Sequence, residues 1–134
     1  MASLVAVEGI GVVYAGKLKE AGVRSTQALL KAGASPKARQ ALAAQTGIGD
    51  ALILRWVNHV DLFRVKGVGE EYADLLEAAG VDTVVELALR QPRNLFEKLA
   101  AVNQTRQRVR RLPTQAQVKN WIAQAKRLRR AVTY

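Results

Sequence analysis

The sequence contains no cysteine and only one histidine, His59, among its 134 residues. Disulfides, thiol nucleophiles, iron–sulfur clusters and cysteine-ligated zinc are therefore excluded, as is any metal site that needs two imidazoles. No stretch approaches the ~18 consecutive apolar residues that suggest a membrane span, and the N-terminal residues lack the pattern of a signal peptide. We therefore expect a soluble, cytoplasmic protein that has no cofactor or metal and is not an enzyme.

Acidic residues are missing from one end of the chain. Residues 106–134 contain nine Lys and Arg and no Asp or Glu, in a protein whose net charge is +10. A run of charge is often no more than a solvated face, but the mutual repulsion of so many cations would be relieved by a polyanion. The partner could be a nucleic acid or an acidic protein surface, or the charge could serve solubility alone.

The chain contains an internal repeat. Residues 7–18 read V-E-G-I-G-V-V-Y-A-G-K-L, and residues 65–76 read V-K-G-V-G-E-E-Y-A-D-L-L. The match is resumed further on, where Trp56-Val57 corresponds to Trp121-Ile122. Such self-similarity indicates two diverged copies of one structural unit. We place them at 4–63 and 64–132 and expect them to pack as one compact, pseudo-symmetric body.

The local signals are helical throughout. Gly22 and Gly80, each followed by Val, stand where a helix ends in a left-handed residue. Thr114 and Gln117 have the spacing of a capping box, and apolar residues recur at helical spacing after them. No segment alternates long enough to require a strand. These patterns predict an all-α fold of about ten short helices, with Trp56 and Trp121 as equivalent core residues.

A Gly-x-Gly turn opens each copy, at Gly9-Ile10-Gly11 and Gly67-Val68-Gly69. The first glycine allows the positive φ of a tight turn, and we expect the second to permit close approach of the backbone to another group. Because the following helix begins with unpaired N–H groups, such a turn can bind a phosphate oxygen.

These turns resemble the helix-hairpin-helix motif. A third hairpin is Thr46-Gly47-Ile48-Gly49, and a fourth, without its glycines, is Leu112-Pro113-Thr114. The order of the four is most similar to the domain of unknown function 4332 family, over residues 5–128. This resemblance implies two fused helix-hairpin-helix pairs built as small SAM-like helical bundles, but it implies little about activity.

The turns differ from those of DNA-binding helix-hairpin-helix proteins, which resemble one another in having Lys or Arg after the second glycine. Here Val12-Val13, Asp50-Ala51 and Glu70-Glu71 occupy those positions. Because acids in the first turn of a helix repel phosphate, we favour a structural role for the Gly67 turn and, less strongly, for the Gly47 turn. For the Gly9 turn both roles stay open.

One acidic stripe, Glu70, Asp74 and Glu77, lies on a single predicted helix face. A stripe on one helix gives poor octahedral geometry for Mg²⁺, so we expect these carboxylates to pair with Lys or Arg instead.

The function that these observations favour is sequence-independent binding of nucleic acid, above all DNA, through its phosphates. The alternative is an adaptor whose basic C-terminal segment docks an acidic partner protein. The sequence leaves open whether the nucleic acid is duplex, single-stranded or RNA. The predicted interface comprises the turn residues Gly9, Ile10, Gly11, Val12, Gly47 and Gly49 and the cations Lys17, Arg106, Arg108, Arg110, Arg111, Lys119, Lys126, Arg127 and Arg130.

Overall fold

The computed structural model describes residues 3–134 and is all-helical over that range, with no strand. The all-α prediction is therefore confirmed, with fewer elements than the ten expected. None of the described helices is long and apolar enough to cross a membrane. A 3₁₀ turn at Leu4–Ala6 precedes eight α-helices: α1 Val12–Glu20, α2 Thr26–Ala32, α3 Pro36–Thr46, α4 Asp50–Phe63, α5 Glu70–Ala78, α6 Val84–Ala88, α7 Pro92–Arg106 and α8 Gln115–Arg127.

The chain divides into two compact units. The first contains the residues up to Asp61 together with Ala131–Tyr134, and the second contains Leu62–Arg130. The sequence repeat placed the division at 63/64 and kept the last residues with the second half. They belong to the first unit because Val132 is buried and the Thr133 N–H donates to the Ala34 carbonyl at 2.8 Å.

The core of the first unit is centred on Trp56 of α4, which is fully buried. The ring of Tyr14 lies 5.1 Å from the Trp56 ring at 61°, a favourable edge-to-face arrangement. Ser25 and Ser35 begin α2 and α3, where each hydroxyl accepts a hydrogen bond from a backbone N–H at 3.1 Å. These caps satisfy helix-end donors that a buried chain cannot leave unpaired.

The core of the second unit is centred on Trp121 of α8, and α6 and α7 both pack against this helix. Tyr72 lies 5.2 Å from the Trp121 ring, so the aromatic pair of the first unit recurs here. The predicted capping box at the start of α8 is present in both directions, between Thr114 and Gln117. The two tryptophans are the equivalent core residues that the repeat predicts.

The ends of α1 and α5 confirm the glycine stops. Gly22 and Gly80 have φ of +87° and +91°. After each, the Val N–H donates back to a leucine carbonyl at 2.8 Å, Val23 to Leu18 and Val81 to Leu76. This is the Schellman pattern, in which a left-handed residue closes the helix and satisfies its last carbonyls.

Candidate nucleic-acid interface

The first glycine of each turn combines the two roles that the sequence had divided between both glycines. Gly9 and Gly67 have φ of +92° and +97°. A β-carbon on Gly9 would lie 3.3 Å from the Trp56 indole nitrogen, and one on Gly67 would lie 3.0 Å from that of Trp121. The expectation that the second glycine makes the close approach is therefore wrong for contacts within the protein, because a β-carbon on Gly11 would meet no atom within 4 Å.

The backbone after Gly11 is open to solvent at the start of α1. Its N-cap residue is Gly11, which has no side chain with which to cap the helix, and Val12 and Val13 in the first turn are 84% and 71% exposed. Ile10, by contrast, is buried, so it contributes to the core rather than to a surface. Lys17 lies further along α1, with its ammonium 6.0 Å from the centre of the Tyr14 ring.

The helices that follow the other two glycine turns begin with acidic residues. Gly47 ends α3 in the left-handed region, at φ +75°, and Gly49 leads directly into Asp50, the first residue of α4. Glu70 and Glu71 occupy the first turn of α5. These carboxylates lie where a phosphate would have to bind the helix end, and their charge opposes it.

The arginine-rich segment, residues 106–111, begins at the last residue of α7, and hydrogen bonds hold its backbone in place. The Asn103 side chain accepts from the Val109 N–H at 2.9 Å and donates to the Val109 carbonyl at 3.1 Å. Val109 is buried, and the Tyr72 hydroxyl donates to the Arg111 carbonyl at 3.0 Å. Although residues 107–111 lie outside any helix, they are therefore attached to α7 through Val109 and to α5 through Arg111.

Arg108 has a partner within its own unit. Its guanidinium lies 3.2 Å from the Asp74 carboxylate, with the two side chains 38% and 13% exposed. The expectation that the acidic stripe pairs with cations thus holds at Asp74, and residues 3–134 contain no group of three side chains that could hold a metal ion. Because Asp74 already neutralises it, Arg108 is the least suited of the predicted arginines for binding phosphate.

The other three arginines of the segment, unlike Arg108, have no carboxylate partner within residues 3–134. Arg106, Arg110 and Arg111 are exposed, and within residues 3–134 their guanidinium groups have no ion pair or hydrogen bond. Arg106 is the last residue of α7, and Arg110 and Arg111 lie in the anchored loop that follows it, so all three cations are presented to solvent from ordered backbone.

Helix α8 supplies a second set of cations. Lys119 and Lys126 are exposed on one face of the helix, and Arg127 follows in its last turn. Arg130, which the sequence groups with these cations in the predicted interface, does not lie on the helix. The helix ends at Arg127, Leu128 is extended, and the Arg129 carbonyl accepts from Arg64, so Arg130 lies beyond the helix.

An open groove lies beside the Gly67 turn, with a volume of about 590 Å³. Gln124 of α8 holds one side of it, since its amide oxygen accepts from the Lys66 N–H at 2.8 Å and its NH₂ donates to the Lys66 carbonyl at 3.0 Å. The groove is lined by Lys66, Gly67, Asn120, Gln124, Arg127 and Leu128.

A protein-family model described as a domain of unknown function, DUF4332, matches residues 8–128. The chain belongs to this family. No curated protein and no solved structure gives a significant match. The match confirms the family to which the sequence is most similar.

Sequence reasoning about this DUF4332 domain missed Lys66. A signal was available, because Lys66 immediately precedes the first glycine of the second copy, where the first copy has Glu8. No pattern along the sequence links this lysine with Arg127, which is 61 positions away along the chain. Only the packing of α8 against the Gly67 turn places both on one groove.

Proposed function

We propose that this DUF4332 domain binds nucleic acid through its phosphate backbone, without reading the base sequence. In the same proposal, the glycine turns are hairpins of two fused, SAM-like helix-hairpin-helix pairs. The positive φ of Gly9, Gly47 and Gly67 supports this assignment, as does the start of a helix three residues after each of them.

The observation that carries the functional proposal is the set of unpaired cations in the second unit. Arg106 ends α7, Arg110 and Arg111 extend from the anchored loop after it, and within the described chain none of the three has a carboxylate partner. Lys119 and Lys126 on α8 are likewise exposed and unpaired there. Because the backbone that carries the loop arginines is already anchored, binding would order side chains but not this backbone, and each cation can neutralise a phosphate.

The chemistry of these side chains favours phosphate over bases. Guanidinium groups donate two parallel hydrogen bonds to phosphate oxygens. Reading bases in a groove calls for a helix that presents Asn, Gln and Arg together as an array. The exposed cations are instead distributed between the end of α7, the loop after it and α8. The proposal is therefore limited to contacts with the phosphate backbone of the nucleic acid.

The test is fluorescence anisotropy with labelled duplex DNA, single-stranded DNA and RNA over a salt series. If about five phosphates are neutralised, the slope of log K against log salt should be about −4.5. Replacing Arg106, Arg110 and Arg111 with Ser should weaken binding and reduce the magnitude of the slope by about 2.7, since about three phosphate contacts are lost. Circular dichroism should show unchanged helicity.

A matched control removes the same charge from the first unit. Lys19, Lys31 and Lys37 are exposed, and their replacement with Ser lowers the net charge equally. The proposal requires this variant to retain most of the slope. Equal losses in the two triple variants, or a slope near zero for the unmodified protein, would contradict it.

The second candidate is the adaptor function, and the exposed valines of α1 favour it. Val12 and Val13 present adjacent apolar side chains at 84% and 71% exposure, where a phosphate-binding turn would have cations. An adaptor would ignore all three nucleic acids at low salt and would bind an acidic protein partner. In that case replacing both valines with Ser should weaken the partner complex, whereas the nucleic-acid proposal expects anisotropy to be unaffected.

A further inference from the structure

Hydrogen bonds from Gln124 connect the residues that line the groove beside the Gly67 turn. Besides its two bonds to the Lys66 backbone, Gln124 donates to the Asn120 side-chain oxygen at 2.7 Å. A single glutamine thus links the turn to α8 and fixes the Asn120 amide. Because its oxygen is the accepting atom, the Asn120 NH₂ is left as a donor.

Two cations line the same groove. Lys66 and Arg127 are exposed, and neither side chain has an ion pair or hydrogen bond within residues 3–134. The acids nearest in sequence, Glu70 and Glu71, do not line it. An ammonium, a planar guanidinium and an amide NH₂ form a donor set that suits phosphate oxygens.

The repeat shows that the two cations are specific to the second unit. At the position equivalent to Lys66 the first copy has Glu8, and at that of Arg127 it has Leu62, which is buried. His59, also buried, stands in place of Gln124. The common framework of turn and tryptophan helix therefore does not require the two cations, and their presence in one copy needs another explanation.

We propose that this groove binds one phosphodiester group of a nucleic-acid strand, with Lys66 and Arg127 neutralising its charge and Asn120 donating to it. This inference rests on the proposed function and adds to it a site outside the arginine-rich segment. The groove is open to solvent rather than enclosed, which suits one group of a passing strand better than a small enclosed anion.

The two tryptophans report on the site separately. The Trp121 indole nitrogen lies beside Gly67, while that of Trp56 lies beside the equivalent Gly9. In ¹⁵N–¹H spectra of the full chain, titration with a 12-base-pair duplex should shift the Trp121 indole signal and the Lys66 and Gly67 amides. The Trp56 indole signal should move much less. Inorganic pyrophosphate at the same phosphate concentration should produce little change.

A pair of variants completes the test. Replacing Lys66 and Arg127 with Ser should reduce the magnitude of the salt slope by about 1.8, since two cations are lost, and should abolish the Trp121 shift. The matched control replaces Lys31 and Lys37 with Ser and should do neither. If the duplex binds but the two double variants behave alike, the groove is not a phosphate site, although the proposed function stands.

Two further outcomes would also overturn the inference. Shifts as large with pyrophosphate as with the duplex would identify a site for small anions rather than for a strand. A complete lack of duplex binding by the unmodified protein at low salt would remove the proposed function, and the inference with it.

Discussion

The indole nitrogen of Trp121 lies 3.0 Å from the position that a β-carbon on Gly67 would occupy. Gly67 also has φ +97°, so Gly67→Ala adds backbone strain to a steric clash. A left-handed residue costs about 1–2 kcal/mol for alanine, and overpacking of a core costs about 1–3 kcal/mol. We expect this variant to lower the free energy of unfolding by about 2–5 kcal/mol, the sum of the two costs, in urea denaturation followed by tryptophan fluorescence.

Gly69→Ala is the matched control for that substitution. Gly69 has an ordinary negative φ of −99°, and no atom lies within 4 Å of a β-carbon placed there. Losing glycine at a helix N-cap should cost less than about 1 kcal/mol. Equal destabilisation by the two variants would show that the contact with Trp121 does not determine the choice of glycine.

The sequence anticipated what depends on local chemistry. The glycine stops, the capping box at Thr114 and the equivalence of Trp56 with Trp121 are properties of a few adjacent residues or of the repeat, so they could be predicted. The role of the first glycine could be predicted only in part. Its positive φ is a local requirement. The contact of Gly67 with Trp121, 54 positions further along the chain, depends on helix packing instead.

Asn103 is expected to stabilise the arginine-rich segment by bonding to both backbone groups of Val109. Asn103→Ala removes both bonds and leaves the backbone of a buried residue without partners. The cost should be about 1–3 kcal/mol. Hydrogen exchange of the Val109 amide should accelerate correspondingly. Amides in the middle of α8 should accelerate only as far as the global stability of the protein falls.

Asn103→Asp separates the two bonds. Aspartate retains the oxygen that accepts from the Val109 N–H but lacks the donor to its carbonyl. Protection of the Val109 amide should therefore be intermediate between the unmodified protein and Asn103→Ala. A Val109 amide that exchanges at the same rate in all three proteins would contradict the proposed anchoring.

Arg108 and Arg110 should respond differently to the same substitution. Arg108→Ser breaks the pair with Asp74, which is only 13% exposed, and should reduce stability more than binding. In a double-mutant cycle with Asp74→Asn, we expect a coupling of about 0.5–1 kcal/mol that declines at high salt. Arg110→Ser should leave the thermal melting temperature unchanged and weaken duplex binding.

The difference between Arg108 and the other arginines of the segment could not be predicted from the sequence. All four arginines from Arg106 to Arg111 carry the same charge and lie in one segment, and no pattern along the chain singles out Arg108. Its partner, Asp74, is 34 positions away on α5. If Arg108→Ser and Arg110→Ser weakened duplex binding equally without loss of stability, the ion pair would have no selective role.

Arg39 is a buried cation that should stabilise the last residues of the chain. It is 5% exposed, and its guanidinium donates to the Gly33 carbonyl at 2.9 Å and to the Thr133 carbonyl at 2.8 Å. The ring of Tyr134 lies 5.8 Å from its central carbon. Arg39→Lys keeps the charge but loses the fork that reaches both carbonyls at once, so we expect a loss of about 2 kcal/mol in the free energy of unfolding.

The Thr133 amide reports on this anchor directly, because it donates to the Ala34 carbonyl at 2.8 Å. In Arg39→Lys its hydrogen exchange should accelerate more than that of amides in α4, since the last residues detach before the unit unfolds. Lys37→Met removes a charge from the exposed side of the same helix and should leave the Thr133 rate unchanged. A uniform acceleration of all amides in Arg39→Lys would instead mean that Arg39 stabilises the first unit as a whole, without a specific role in holding its final residues.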